Sequence, residues 1–307
     1  MAHMDFRGRE MKKFILFLIV AIFISTKAFA LNVFTCEPEW KSLTEEIAKG
    51  KANIYSATNA MQDVHYIQAK PSLIAKIRQA DMVVCSGADL EIGWLPLILR
   101  KAGSAKVQEG GSNLIYAAQY VQTIEKPTRV DRADGDVHPN GNPHLHLNPY
   151  NMLKVGQVIA NKLSEIDNAN ADFYAQNYNN FAAKMREKIK IWERQALVLK
   201  NSNVITNHKN MSYLFDWLKI KTIGTLEPKP GIPATSKHLS ELESITKQNN
   251  VAFIAYAPFE NQKPAEWLSK ESGVKAIILP YTIGGNKHVK NLFDLYQNSI
   301  DTMLLEK

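Results

Sequence analysis

The chain reads as an α/β protein built from two doubly wound lobes with parallel sheets, joined by one long helix. Three observations predict this. Short strand-like apolar runs alternate with amphipathic helical segments through the first half. The same alternation resumes in the second half. Between them, Ala171 to Lys200 carries its larger apolar residues at Tyr174, Tyr178, Phe181, Met185, Ile189, Trp192, Ala196 and Leu199. Those steps of three or four trace one helical face, and Lys184, Arg186, Glu187 and Lys188 place a solvated face opposite. About thirty residues at 1.5 Å each span roughly 45 Å, enough to run the height of a two-domain molecule.

The elements follow in order. Met11-Lys12-Lys13, the apolar run Phe14 to Ile24 and the ending Ala28-Phe29-Ala30 have the basic start, short core and A-x-A site of a secretory signal. The run is short for a membrane span. Met1 to Ala30 is therefore set aside as leader, with residues 1–10 as an upstream extension. No cysteine stands at the cleavage site, so a lipid anchor is not expected and the mature chain is expected free in the periplasm. Leu31 to Cys36 is expected as a strand, Trp40 to Ala48 as a helix, Asn53 to Ala57 as a strand, Ser72 to Gln79 as a helix and Asp81 to Ser86 as a strand. Asn151 to Leu163 is expected as a helix before the long one. In the second half the expected strands are 203–206, 251–257 and 276–279. The expected helices there are 211–218, 238–248, 264–272 and 292–304. This divides the chain into a leader (1–30), an N-terminal lobe (31–168) with a His-containing loop at 131–148, the linking helix (169–200) and a C-terminal lobe (201–307).

The formal net charge is +7 over the full chain, and +4 from Leu31 onward, where 32 basic residues face 28 acidic ones. Nothing in that balance asks for nucleic acid, and a monomer is expected. Cys36 and Cys85 each close an extended apolar stretch. In an exported protein they form a disulfide if their strands are neighbours; the alternative is two buried free thiols. Zinc–thiolate ligation usually shows close cysteine pairs, which are absent from this sequence.

Three of the eight histidines, His138, His144 and His146, fall within nine residues among Pro and Gly, which marks a loop. His65 and His208 follow strand-like runs, where open α/β sheets bind their ligands. Neutral imidazole suits zinc and other borderline metals. The pattern points to a metal site assembled from distant segments.

Three stretches carry a family resemblance. Asp63 to Gln68 resembles a D-P-H-x-[YF]-E stretch, with Val for Pro and Gln for Glu. Asn142 to Pro149 resembles D-P-H-x-W-L-D-P, with Asn for both Asp and His146 for Trp. His208 to Leu214 resembles H-x-x-[FW]-x-Y-L with Met211 and Tyr213-Leu214, and Leu226-Glu227-Pro228 resembles a later E-P-G turn. In order and interval these resemble the periplasmic solute-binding proteins of zinc and manganese ABC transporters, across the whole mature chain. The resemblance implies a metal in the cleft between the lobes, with His65, His144 and His208 as ligands, and a membrane permease as partner. Manganese-type members place an acidic residue where this chain has His208, so the resemblance favours Zn2+ over Mn2+. The family's usual fourth ligand is a carboxylate in the turn after the last strand of the second lobe. Here that turn, Leu279 to Gly285, has none. Water, Glu260 or a loop histidine fills the position, with water or Glu260 placed first. His138 and His146 are expected as mobile accessory ligands, and His238 and His288 as surface residues. Asp63 and Asn142 are expected to accept the outer ring nitrogens of His65 and His144. Three histidines with an open position also describe a catalytic zinc. Yet no H-E-x-x-H stands in the sequence, so a carrier is expected ahead of a hydrolase, a sensor or an adhesin.

Overall fold

The structure, a computed structural model, describes residues 30–131 and 135–305. The expected leader lies outside them apart from Ala30. From Leu31 onward the chain forms one compact unit containing two four-stranded parallel sheets.

The first sheet uses β1 (Leu31–Thr35), β2 (Ala52–Ser56), β3 (Met82–Cys85) and β4 (Leu114–Tyr116), with α1 (Pro38–Ala48), α2 (Pro71–Arg78) and α3 (Leu95–Ala102) between them. Then α4 (Pro149–Ile166) and α5 (Ala171–Gln195) lead to the second sheet. That sheet holds β5 (Asn203–Thr206), β6 (Lys221–Thr225), β7 (Val251–Tyr256) and β8 (Ala276–Ile278), with α6 (Ser212–Leu218), α7 (Ser236–Gln248) and α8 (Lys263–Ser272) between; α9 (Leu292–Leu305) closes the chain. The strand orders are β2-β1-β3-β4 and β6-β5-β7-β8, the same winding used twice, with every pairing parallel. Parallel strands need helical crossovers on both faces, which the alternating pattern supplies.

Proline at the first turn opens α1, α2, α3, α4 and α8, where its missing N–H costs no helical bond. The helix expected over Ala171 to Lys200 ends as α at Gln195 and continues as a 3-10 turn, Ala196–Leu199. The tighter turn stacks residues three apart, which sends both Ala196 and Leu199 into the core.

Each sheet has an outer apolar layer of its own. The first gathers Phe34, Val83, Ile77, Trp94 and Leu99; the second gathers Ile205, Ile254, Leu242 and Leu268. The inner faces share one continuous core. Val33 and Val84 from the first sheet and Val204 and Phe253 from the second join it through Tyr178, Phe181, Met185 and Trp192 of α5. Gly156 lets α4 approach closely: a Cβ there would lie 3.4 Å from Leu43 and from Tyr178. Cys36 and Cys85, at the ends of neighbouring β1 and β3, are joined with Cα atoms 4.9 Å apart.

Candidate metal centre

Both sheets turn their carboxyl-terminal strand ends toward one cavity of about 260 Å³, lined in part by Asp63, His65, His144, His208, Glu227, Glu260 and Tyr281. His65 sits in a 3-10 turn, Val64–Tyr66, that Asp63 caps by accepting the His65 backbone N–H at 3.0 Å. Trp94 Nε1 donates to the Val64 carbonyl at 2.9 Å and pins the turn from the other side. His144 stands in the loop before α4. There Asn142 Oδ1 accepts the His144 backbone N–H at 2.9 Å, and its Nδ2 donates to Glu125 and to the Lys209 carbonyl, each at 2.8 Å. His208 lies two residues beyond the end of β5.

The structure brings these three together. Their ring centroids are 5.7, 5.9 and 5.6 Å apart, a nearly equilateral triangle, and one nitrogen from each lies within 4.8 Å of the others. Each ring is oriented through Nδ1. His65 Nδ1 donates to Asp63 at 2.7 Å and His208 Nδ1 to Glu227 at 2.7 Å, while His144 Nδ1 lies 2.7 Å from the Tyr281 hydroxyl. A carboxylate only accepts, so Nδ1 of His65 and of His208 carries the proton and Nε2 is left as the donor atom. His144 Nε2 is buried without any hydrogen-bond partner. Such an orphaned atom is costly unless a ligand uses it, and the donor set as a whole suits a borderline divalent ion.

The electrostatics divide the rings. Burial, then the neighbouring His208 and His65, holds the His144 pKa well below the ordinary value. Burial also opposes charge on His208, but its bond to Glu227, backed by Glu260 and Asp63, outweighs that and raises its pKa. Burial opposes the ionised Asp63 carboxyl too, yet its bonds to His65 prevail and hold it below the usual carboxylate range. Burial thus favours the neutral form of His144, whereas the carboxylates around His208 favour its charged form.

Several expectations need correction. Asn142 does not accept from the His144 ring; Tyr281 meets that ring instead. The turn that lacks a carboxylate thereby contributes a hydroxyl to the site, a role the sequence reading missed. Glu260 lines the cavity but does not join the three nitrogens: Oε1 accepts from Asn210 at 3.0 Å and Oε2 from the Ala257 backbone at 2.5 Å. Burial raises its pKa to about 7. His146 is no mobile accessory. It is fully buried, with Nε2 donating to the Tyr281 carbonyl at 2.8 Å and Nδ1 3.1 Å from Glu39. Flanking Leu145 and Leu147, both fully buried, draw it inward. His138, expected as a mobile accessory ligand, stands beside the main site: its Nε2 lies 3.2 Å from His65 Nε2, and burial, then His65 and His208, pushes its pKa down to about 4. His238 is half-buried against the Thr225 carbonyl at 2.8 Å rather than at the surface, whereas His288 is exposed.

Comparison with known proteins fits this geometry. The model of the family "Zinc-uptake complex component A periplasmic" matches residues 33–304. The chain belongs to that family. It is 24% identical over 253 residues to the "Zinc-binding lipoprotein AdcA" of Streptococcus pneumoniae (strain ATCC BAA-255 / R6), a match covering 81% of this chain and 49% of the relative. The chain therefore spans about half the length of that relative. It is 23% identical over 310 residues to the "High-affinity zinc uptake system protein ZnuA" of Bacillus subtilis (strain 168), covering 94% and 95%. The cadmium-bound periplasmic metal binding protein of Candidatus Liberibacter asiaticus shares the fold, with a TM-score of 0.73 at 18% identity, over 89% of this chain and 97% of that one. Among the described residues no helix is long and apolar enough to cross a membrane.

Proposed function

We propose that this protein captures zinc outside the cytoplasm and delivers it to the permease of an ABC-type uptake system. One observation carries the reading. His65, His144 and His208 arrive from both halves of the chain, each tied down at Nδ1, with their inner nitrogens gathered over one cavity. Names of relatives on both sides of the comparison speak of zinc. Imidazole donors suit zinc, whereas manganese prefers oxygen donors, so zinc is the cargo and manganese the weaker competitor. The ligands belong to lobes 31–168 and 201–307, bridged by 169–200, and binding joins the lobes without chemical turnover. The protein acts as a periplasmic monomer released from its leader after Ala30.

Calorimetric titration of the chelator-treated protein tests this. One tight zinc per chain is expected, with manganese weaker and no hydrolysis of ester or lactam substrates. Absence of tight zinc binding, or zinc-dependent hydrolysis, would overturn the reading.

A further inference from the structure

The segment from Gly135 to Asn142 is held across the mouth of the site from both halves of the molecule. The Asp136 backbone N–H donates to the Pro230 carbonyl at 3.0 Å, and the Asp136 carboxylate accepts from the Tyr66 hydroxyl. Gly135 and Gly231 permit this close passage. A Cβ on Gly135 would lie 2.1 Å from the Pro230 oxygen, and one on Gly231 would lie 2.4 Å from Asp136 Oδ2. At the far end the Asn142 N–H donates to the Ile124 carbonyl at 2.9 Å, and Thr123 Oγ1 donates to the Asn140 carbonyl at 2.7 Å. Backbone bonds and close glycine contacts thus tie the strap at both ends.

His138 is the residue the strap presents. Its Nδ1 lies 3.1 Å from the Ala88 carbonyl. A carbonyl only accepts, so Nδ1 carries the proton and Nε2 of the neutral ring is a bare lone pair. That lone pair faces His65 Nε2 at 3.2 Å, and His65 Nε2 is bare for the same reason, since its Nδ1 donates to Asp63. Two lone pairs at this distance repel unless a cation draws on both. Zinc–nitrogen bonds of 2.0–2.1 Å at the tetrahedral angle place neighbouring nitrogens roughly 3.3–3.4 Å apart. The separation found matches one edge of that tetrahedron; His138 does not yet lie within 4.8 Å of all three other nitrogens, so the strap shifts inward to complete the remaining edges.

We propose that His138 is the fourth ligand of the bound ion, carried on a strap that closes the coordination sphere with a fourth imidazole in place of water or a carboxylate. The inference rests on the zinc reading above and adds that the sphere is closed. Four neutral imidazoles leave the dication balanced only from outside the sphere, by Asp63 and Glu227, and favour zinc over oxygen-seeking ions. Loading and release then run through the strap: Tyr66 and Pro230 hold it shut, and its withdrawal opens one coordination position to an incoming ligand.

X-ray absorption at the zinc edge of the zinc-loaded full chain tests this, beside zinc affinity measured by competition with a chelator. Four imidazole nitrogens and no oxygen are expected for the wild type. His138→Ala should show three imidazoles plus one oxygen and bind zinc more than about tenfold more weakly. Gly135→Ala keeps every histidine but collides with Pro230, and should shift the spectrum and affinity the same way. Melting of the metal-free forms controls for folding. His288→Ala, at an exposed position, should match the wild type. Three imidazoles plus oxygen in the wild type would overturn the strap assignment while leaving the zinc reading intact; the wild-type spectrum decides this without any variant. A wild type that takes up no zinc would overturn the underlying reading itself.

Discussion

The two sheets have the same winding, yet their carboxyl-terminal ends are finished in opposite ways. Equivalent ladder bonds set the correspondence. The Cys36 N–H donates to the Val84 carbonyl at 2.9 Å, and the Asn207 N–H donates to the Ala255 carbonyl at 2.9 Å. Glu37 therefore corresponds to His208. In the first sheet this position is sealed: the disulfide bridges β1 and β3, and Glu37 lies fully buried beside Glu91 and Ser86. In the second sheet it is open to the cavity and carries His208, one of the three proposed metal ligands. After the third strand each sheet places a glutamate that accepts backbone N–H groups, the buried Glu91 from Ser86 and Gly87, and the half-buried Glu260 from Ala257. Burial raises both carboxyls to about 7. The first lobe, with its central strand ends stapled, delivers His65 by an excursion beyond the edge strand β2. The second delivers His208 directly from the central strand β5. Twofold use of one topology does not impose twofold use of its ligand positions.

The largest effect that tests this contrast comes from the staple. Replacing Cys36 and Cys85 by Ser opens a loop of separation 49, worth about 4 kcal/mol in the chain-entropy model. Denaturant unfolding should show a loss of that order, and zinc affinity should change far less, because the bridge supports the sealed end. A matching collapse in affinity would erase the division between sealed and open ends.

Next, His65→Ala, His144→Ala and His208→Ala should each weaken zinc binding by more than about 100-fold, beyond the range typical of outer contacts. Near-native affinity in any one, by calorimetry, would remove that residue from the site.

A smaller and equal loss, about 10–100-fold, is expected for Asp63→Asn and Glu227→Gln, which free the Nδ1 positions of His65 and His208. A strongly unequal pair would show that one lobe dominates the grip.

The smallest effect is a slope. Burial, then the charges of Glu91 and Glu39, raises the Glu37 pKa well above the carboxylate range, and burial raises Glu91 to about 7. A raised carboxyl favours the folded state while protonated, so this contribution is full below about 4.5 and fades as pH rises through about 7. For one proton the slope does not exceed about 1.4 kcal/mol per pH unit. Chemical denaturation between pH 5 and 7 should show it, and Glu91→Gln should flatten it. An unchanged slope in that variant would place the titration elsewhere.

Much of this was legible in the sequence where one residue's pattern decided its place. The apolar face of α5 follows from helical spacing, and Tyr174 to Trp192 are buried as that spacing predicts. His65 and His208 could be placed because strand ends mark ligand positions. What escaped depends on contacts distant in sequence. Leu114–Tyr116 has three residues and no period to read, and Lys221–Thr225 carries Lys, Thr and Gly on an edge strand, so neither announced itself. Tyr281 meets His144 across 137 positions. The burial of His146 had a local clue in the leucines on either side, but its partner Glu39 lies in α1, where a carboxylate reads as solvated. His138 is fixed by the Ala88 carbonyl, which no side-chain pattern reveals.

The inner core that runs unbroken from Val33 through Met185 to Phe253 has a thermal consequence. Two sheets with separate cores would melt in two steps. Here neither sheet can lose its inner face without exposing that of the other along α5, so heat should dismantle them together. A calorimetric trace of the metal-free protein is then one peak, whose area agrees with the enthalpy inferred from its sharpness.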